Sequence, residues 1–374
     1  AAAQHYRRAV QLVRRALSLR PGDPEATAAL ARALYSEGTF QFWNNDLAAA
    51  EKSFLEAIPI LERRLRTTHS ESVQREYGSA VIGLADVYFW SSKLELALKT
   101  YDRGCATIFA TPANNFEAKD AIAVCHTRRA DTLAWLERYD EAEIEIAKAI
   151  AIYQPMYARE PDNLNVAHSY GIALNKQGEI YSWHENFDRS FVVFSESLRI
   201  AERQYRADPT DLRAARDVAM AHNKRGDAYM ETKRFPESIA DYEAARAIFE
   251  KLWKNDPSQS EHERDYAISN HRLGIALVQG GNRAAATPYF DDEVAIMRRR
   301  WQASPTKAWS RRDLAVALED RVETPAAPEQ MCAWHRENRE LLLALKHDAV
   351  ATPTDLQELA KSETALGICP APAG

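Results

Sequence analysis

The stretch His222–Pro257, HNKRGDAYMETKRFPESIADYEAARAIFEKLWKNDP, decides the fold. It holds two helical patterns separated by the polar turn Thr232-Lys233-Arg234. In the first, Gly226 and Tyr229 fall one turn apart, and Gly226 leaves room where two helix backbones are expected to approach. The second opens with Phe235-Pro236, and proline at a helix start costs little because that N–H has no intrahelical partner. Ile239, Tyr242, Ala245 and Phe249 then recur at helical spacing, so one face is apolar. Asn255-Asp256-Pro257 closes the unit.

The same unit recurs along the chain. The Gly226 position is taken elsewhere by Gly38, Ala85, Ala130, Gly178 and Gly274, with successive members 45 to 48 residues apart. Sixteen residues beyond stand Phe54, Tyr101, Ile146, Phe194, Tyr242 and Phe290. Nineteen beyond stand Ala57, Gly104, Ala149, Ser197, Ala245 and Glu293, of which only the last is not small. Arg75-Glu76, Arg216-Asp217, Arg264-Asp265 and Arg312-Asp313 mark the starts of first helices, with Lys119-Asp120 one residue early. Self-similarity of this kind outranks any single motif. The small-residue, aromatic, proline-terminated hairpin resembles the tetratricopeptide repeat (TPR). That family's period is about 34 residues; here the surplus lies outside the signature, so both helices are expected to run one to two turns longer. Long-period repeats of this kind resemble those of multidomain bacterial signalling proteins. The resemblance implies an all-α fold: a right-handed α-solenoid of stacked antiparallel helix hairpins, a TPR-like superhelix with a concave inner face.

Three segments are expected. Residues 1–24 read as the second helix of a truncated or capping repeat, since Tyr6, Ala9, Val13 and Ala16 match second-helix positions. The absent first helix and the absent initiating Met suggest the downstream part of a longer polypeptide. Residues 25–304 hold six repeats. Residues 305–374 form a degenerate seventh repeat and a C-terminal cap, ending in the tail Pro370-Ala371-Pro372-Ala373-Gly374.

Composition narrows the function. A net charge of −6 argues against a general nucleic-acid surface or an anionic-membrane surface. No apolar run approaches the roughly 18 residues of a membrane span. Cys105, Cys125, Cys332 and Cys369 are widely spaced with no CxxC pair, which suggests free thiols and a cytoplasmic, reducing compartment. There is no GxxxxGK[ST], GxGxxG, HExxH or GxSxG motif. Cys125 and His126 are neighbours on a helix and diverge by about 100°, a poor geometry for a nucleophile and its base. No enzyme, cofactor or metal site is expected, and the histidines read as packed or surface residues.

The inner face carries more information. Five residues past the small position stand Trp43, Trp90, Trp135 and Trp183, on the side of the first helix turned away from its partner. One residue past it come Asp86, Asp131, Glu179 and Asp227; two before it, Arg128, Lys176, Lys224 and Arg272; three before it, Asn175, Asn223 and His271. The acidic and basic rows lie three apart, so intrahelical pairs such as Arg128–Asp131, Lys176–Glu179 and Lys224–Asp227 would explain them without a ligand. The tryptophans have a similar alternative, burial between adjacent first helices. The TPR resemblance implies that residues on this face bind extended peptides, and Asn175-Lys176 and Asn223-Lys224 resemble a clamp for a terminal carboxylate. Its full set is not matched. The expectation is a non-enzymatic protein- or peptide-binding solenoid, the sensor or scaffold arm of a larger protein. The alternative is an architectural or oligomerising arm packed on an upstream effector domain such as an NTPase, kinase or protease.

Overall fold

The local chemistry of the repeat sets where each helix begins and ends. Asp23, Asn163 and Asp211 each accept two backbone N–H groups at the start of a first helix, and Asn115 accepts one from Ala118. Seven residues past each small position the chain turns through the left-handed region. Asn45, Ser92, Glu137, Glu185 and Lys233 hold φ between 57° and 59°, and Gly281 holds 87°. This single-residue reversal sends the second helix back antiparallel to the first.

A computed structural model describes residues 2–68, 70–257 and 259–369; the expected C-terminal tail lies outside them. Among the described residues there are sixteen α-helices and no strand. They are α1 (Ala2–Leu19), α2 (Pro24–Trp43), α3 (Leu47–Thr67), α4 (Glu71–Trp90), α5 (Leu94–Phe109), α6 (Phe116–Trp135), α7 (Tyr139–Arg159) and α8 (Leu164–Trp183). Then follow α9 (Phe187–Ala207), α10 (Leu212–Glu231), α11 (Phe235–Asn255), α12 (Ser260–Gln279) and α13 (Arg283–Ala303). The last three are α14 (Ala308–Val322), α15 (Pro328–His347) and α16 (Pro353–Leu366). From α2 to α13 the helices are 20 or 21 residues long, except α5 with 16, so the long period is carried by longer helices.

The helices form two compact units, residues 1–193 and 194–374. In the first, α2 packs on α3, α4 on α5 and α6 on α7, and first helices touch across hairpins, α2 with α4 and α6 with α8. Its core runs through Phe54, Leu61, Val81, Leu84 and Tyr101, and Val10 of α1 joins Leu30, Leu34 and Ala57. Leu12 and Leu19 of α1 remain exposed. In the second unit α10 packs on α11 and α12 on α13, followed by α14, α15 and α16 in sequence. Phe249, Tyr266, Leu314, Leu318, Leu342 and Leu345 are central to its core.

The small position is explained by what sits on it. A Cβ at Gly226 would lie 2.7 Å from the Tyr242 ring, one at Gly38 would lie 3.1 Å from Phe54, and one at Gly274 would collide with Phe290. The aromatic sixteen residues on is therefore what crowds the first helix at these glycines, not the partner backbone that the sequence suggested. Backbones approach closely elsewhere: Gly78 of α4 and Gly104 of α5 would each bring a Cβ within 3.3 Å of the other's carbonyl oxygen.

Two further features depart from the sequence reading. The four cysteines are paired, Cys105 with Cys125 and Cys332 with Cys369, so the inference of free thiols fails, and with it the support it lent to a reducing compartment. Spacings of 20 and 37 residues carry no local signature of pairing. In addition, two histidines read only as packed or surface residues belong to repeated triads that the sequence reading did not assemble. His126 and Arg129 on α6 both bind Glu145 of α7, at 2.8 and 3.1 Å. His222 and Arg225 on α10 bind Asp241 of α11, each at 2.7 Å. Both sets occupy the same places relative to the small position, four and one before it and fifteen after.

These contacts give two expectations. The Tyr242 ring is buried and its hydroxyl donates to Asp227 at 2.7 Å, so it cannot swing aside for a new methyl. Gly226→Ala should therefore destabilise by about 1–3 kcal/mol, although alanine for glycine in an exposed helix gains about 1 kcal/mol. Urea unfolding should show Gly38→Ala costing less. The second concerns Glu145. Burial pushes its carboxyl up, but the hydrogen bonds from His126 and Lys148 and the Arg129 charge prevail and hold it at about 2 against an ordinary 4.5. Its contribution, at most about 3 kcal/mol, is complete above the unfolded value and drains away as pH falls toward the folded one. The stability gap between the natural chain and Glu145→Gln should accordingly shrink as pH falls from 4.5 to about 2.

Candidate functional site

The four tryptophans share one structural address. Trp43, Trp90, Trp135 and Trp183 are the last residues of α2, α4, α6 and α8, each two residues before the left-handed turn. They line the turn end of successive first helices, all in the first unit. Their exposures are 77, 63, 57 and 39%, so they are not the core residues that the alternative reading required. Trp135 and Trp183 meet edge to face at 5.7 Å. Phe89 sits edge-on to both Trp90 and Trp135, at 5.8 and 6.3 Å, which links three hairpins into one aromatic run. Trp43 packs only on its own neighbour Phe42 among the ring contacts of the described residues. Edge-to-face contacts of this kind hold rings in register while leaving their faces open.

The charged rows form a ladder between repeats. Arg128 reaches back to Asp86 of the preceding first helix at 3.3 Å, Lys176 to Asp131 at 3.0 Å, and Arg272 to Asp227 at 3.1 Å. Lys176 also holds Glu179 on its own helix, so one of the expected intrahelical pairs is present. Two of the acids are bound from a second side as well: Tyr101 donates to Asp86 and Tyr242 to Asp227, tying each of these to its own hairpin's second helix. Burial pushes the Asp86 carboxyl above its usual range, with Arg128 and Tyr101 opposing the shift. Burial pulls the Lys176 ammonium down, but Glu179 and Asp131 more than restore it. Lys176 also stands 5.6 Å from the centre of the Trp183 ring, where ladder and aromatic run touch.

These acids are thus already paired within the fold and offer no free row of charge to a basic ligand. Asn175 and Asn223 do not present their amide oxygens to an open face either. Asn223 is 2% exposed and has no surface to offer a terminal carboxylate, and the Oδ1 of Asn175 is also buried. Lys224 is half-buried on α10. Glu231 and Gln279 end α10 and α12 at the places that tryptophan occupies in the first unit. The Arg-Asp marks at helix starts are structural bridges: Arg216 binds Asp265 at 2.8 Å, and Arg312 binds Asp355 at 2.7 Å.

His271 lies within a second cluster that the sequence reading did not assemble. Its Nδ1 is 2.7 Å from Asp320 and 3.5 Å from Glu293. Burial pulls the imidazole down, but the two carboxylates hold it up to about 10, and burial raises Glu293 to about 7. A concavity in the second unit is lined by Asp291, Arg298, Arg321 and Trp334. Its charges are engaged, Arg321 with Asp291 and Arg298 with Glu337.

No protein-family model matches the sequence, and no curated protein matches it. Solved structures match in fold. A Rap protein complexed with competence and sporulation factor is 12% identical, with 98% of this chain and 94% of that one covered and a TM-score of 0.53. The apo form of RapI is also 12% identical, with 90% and 98% covered and a TM-score of 0.52. BtubC (BKLC) from P. vanneervenii is 18% identical, with 68% and 91% covered and a TM-score of 0.51. At such identities the likeness is one of fold. In fold the chain is a TPR-like α-solenoid, a succession of stacked antiparallel helix hairpins.

Proposed function

We propose that this chain is a non-enzymatic protein- or peptide-binding solenoid whose recognition surface is the tryptophan line of the first unit. One observation carries the reading: four large aromatics stand in register at the surface of consecutive hairpins, three of them more than half exposed. The fold does not need them there, because each hairpin is already closed by its buried residue sixteen past the small position. Exposed aromatic runs on otherwise polar surfaces mark binding sites, and tryptophan is among the residues most enriched at binding hot spots. With the neighbouring acids bound inside the ladder, the favoured ligand is an extended or helical segment with apolar or aromatic anchors. The Rap protein of similar fold is complexed with a factor, which supports an architecture suited to holding a partner. The wider role proposed is the sensor or scaffold arm of a larger bacterial signalling protein. A second reading, an architectural arm packed on another domain, draws on Leu12 and Leu19, which α1 leaves 57 and 76% exposed.

A displayed random-peptide library panned on the natural chain tests the reading. Trp135→Ala or Trp183→Ala should weaken the enriched peptides by about 2 kcal/mol, roughly thirtyfold, while leaving the thermal midpoint nearly unchanged. Peptides indifferent to both substitutions would place recognition elsewhere. A fall of many degrees in either variant would make the tryptophans part of the fold.

A further inference from the structure

Three departures from the array's own pattern converge at one point in the second unit. Nineteen past the small position the other repeats carry Ala, Gly or Ser; the sixth carries Glu293. Three before it, the fourth and fifth repeats carry Asn175 and Asn223; the sixth carries His271. Two before it, the third to sixth repeats carry Arg128, Lys176, Lys224 and Arg272; the seventh, whose small position is Val322, carries Asp320. These residues come from α13, α12 and α14, and their ligand-type atoms all lie within 4.8 Å of one another.

Chemistry separates this cluster from the two histidine triads of the same chain. There each histidine–carboxylate pair is completed by an arginine, Arg129 or Arg225. Here the third member is a second carboxylate, and neither Glu293 nor Asp320 has a lysine or arginine within ion-pair distance among the described residues. Glu293 is 97% buried and its Oε2 has no hydrogen-bond partner, an arrangement that costs stability unless something positive occupies the space. The histidine side chain is a third exposed, which gives a route in from solvent.

We infer that His271, Glu293 and Asp320 form a divalent-cation site that ties α14 to the α12–α13 hairpin. One imidazole and two carboxylates are the ligands of a borderline-soft ion, and three protein groups with a fourth position for water suit Zn²⁺. At bond lengths of about 2.1 Å a tetrahedral ion sets its ligand atoms about 3.4 Å apart, so small rotations of the three side chains seat it. Ca²⁺ needs six to eight oxygens and is not served by this set. The ion takes the place of the proton shared between His271 and Asp320, so binding releases that proton. Its role is structural, a clamp set where the basic row of the ladder stops.

The test uses the untagged full chain, stripped with a chelator and titrated calorimetrically with Zn²⁺, and with Ca²⁺ as control. One equivalent of Zn²⁺ should bind and raise the thermal midpoint, with no response to Ca²⁺. Asp320→Asn and His271→Asn should each weaken Zn²⁺ at least tenfold, and the rise in midpoint on adding Zn²⁺, read against each variant's own midpoint in chelator, should shrink accordingly. Glu293→Ala, which restores the small residue of the other repeats, should fold and bind no Zn²⁺. Absence of saturable Zn²⁺ binding by the natural chain overturns the inference. So does binding that persists unchanged in all three variants, which would mark an adventitious surface site. A Glu293→Ala midpoint above that of the Zn²⁺-loaded natural chain also overturns it, by showing a buried acid with no cation clamp to supply.

Discussion

The structure depends on the side chain that each second helix lays against the small position of its own first helix. That side chain is buried in each of the six hairpins, and at Gly38, Gly226 and Gly274 a Cβ would press on it or collide with it. This contact fixes the separation and register of a hairpin through residues only sixteen apart. Phe54 shows how it also governs stacking: a Cβ on Gly83 of the following first helix would come within 2.7 Å of the same ring. One side chain therefore closes its own hairpin and sets the distance to the next. The polar ladder follows from that spacing, because first helices brought side by side put the base of one repeat against the acid of the last. Only then do the helix ends align closely enough for tryptophans to meet edge to face.

What the sequence made legible, and what it did not, divides along the same line. The helix-pair unit could be read because the polar turn and the small–aromatic pair are local. Contacts between repeats were read less well. Residues three apart on a helix suggested pairs along it, whereas Arg128 crosses to Asp86 of the neighbouring repeat and Lys176 binds an acid on each helix. The disulfides were invisible for a related reason: pairing across 20 and 37 residues depends on which helix faces stack, and no spacing encodes that. Asn223 was misplaced because its angular position on the helix could not distinguish an inward face from a crevice between hairpins. The triads were within reach, since His126 with Glu145 and His222 with Asp241 repeat the same 19-residue separation.

Departures from a repeat's pattern proved as informative as its matches. Glu293 already stood out as the one large residue among small ones, and it became intelligible when His271 and Asp320 were seen beside it. In an array of near-equivalent units the other repeats act as internal controls for each position. A buried acid at a position that elsewhere holds alanine calls for a specific compensating partner.

The disulfide between Cys105 and Cys125 has a consequence for how the first unit comes apart. Where each hairpin touches mainly its neighbours, unfolding is free to stop at any interface, and stability divides into separate local terms. This bond lies fully buried between α5 and α6, the two helices that meet across the irregular Thr111–Asn115 connection. It welds the second and third hairpins into one block, so the weakest linkage by sequence cannot act as a fault line. Trp90 and Trp135, on either side of that joint, are thereby held in the same cooperative unit, and the aromatic run cannot be interrupted at its middle while the bond is intact.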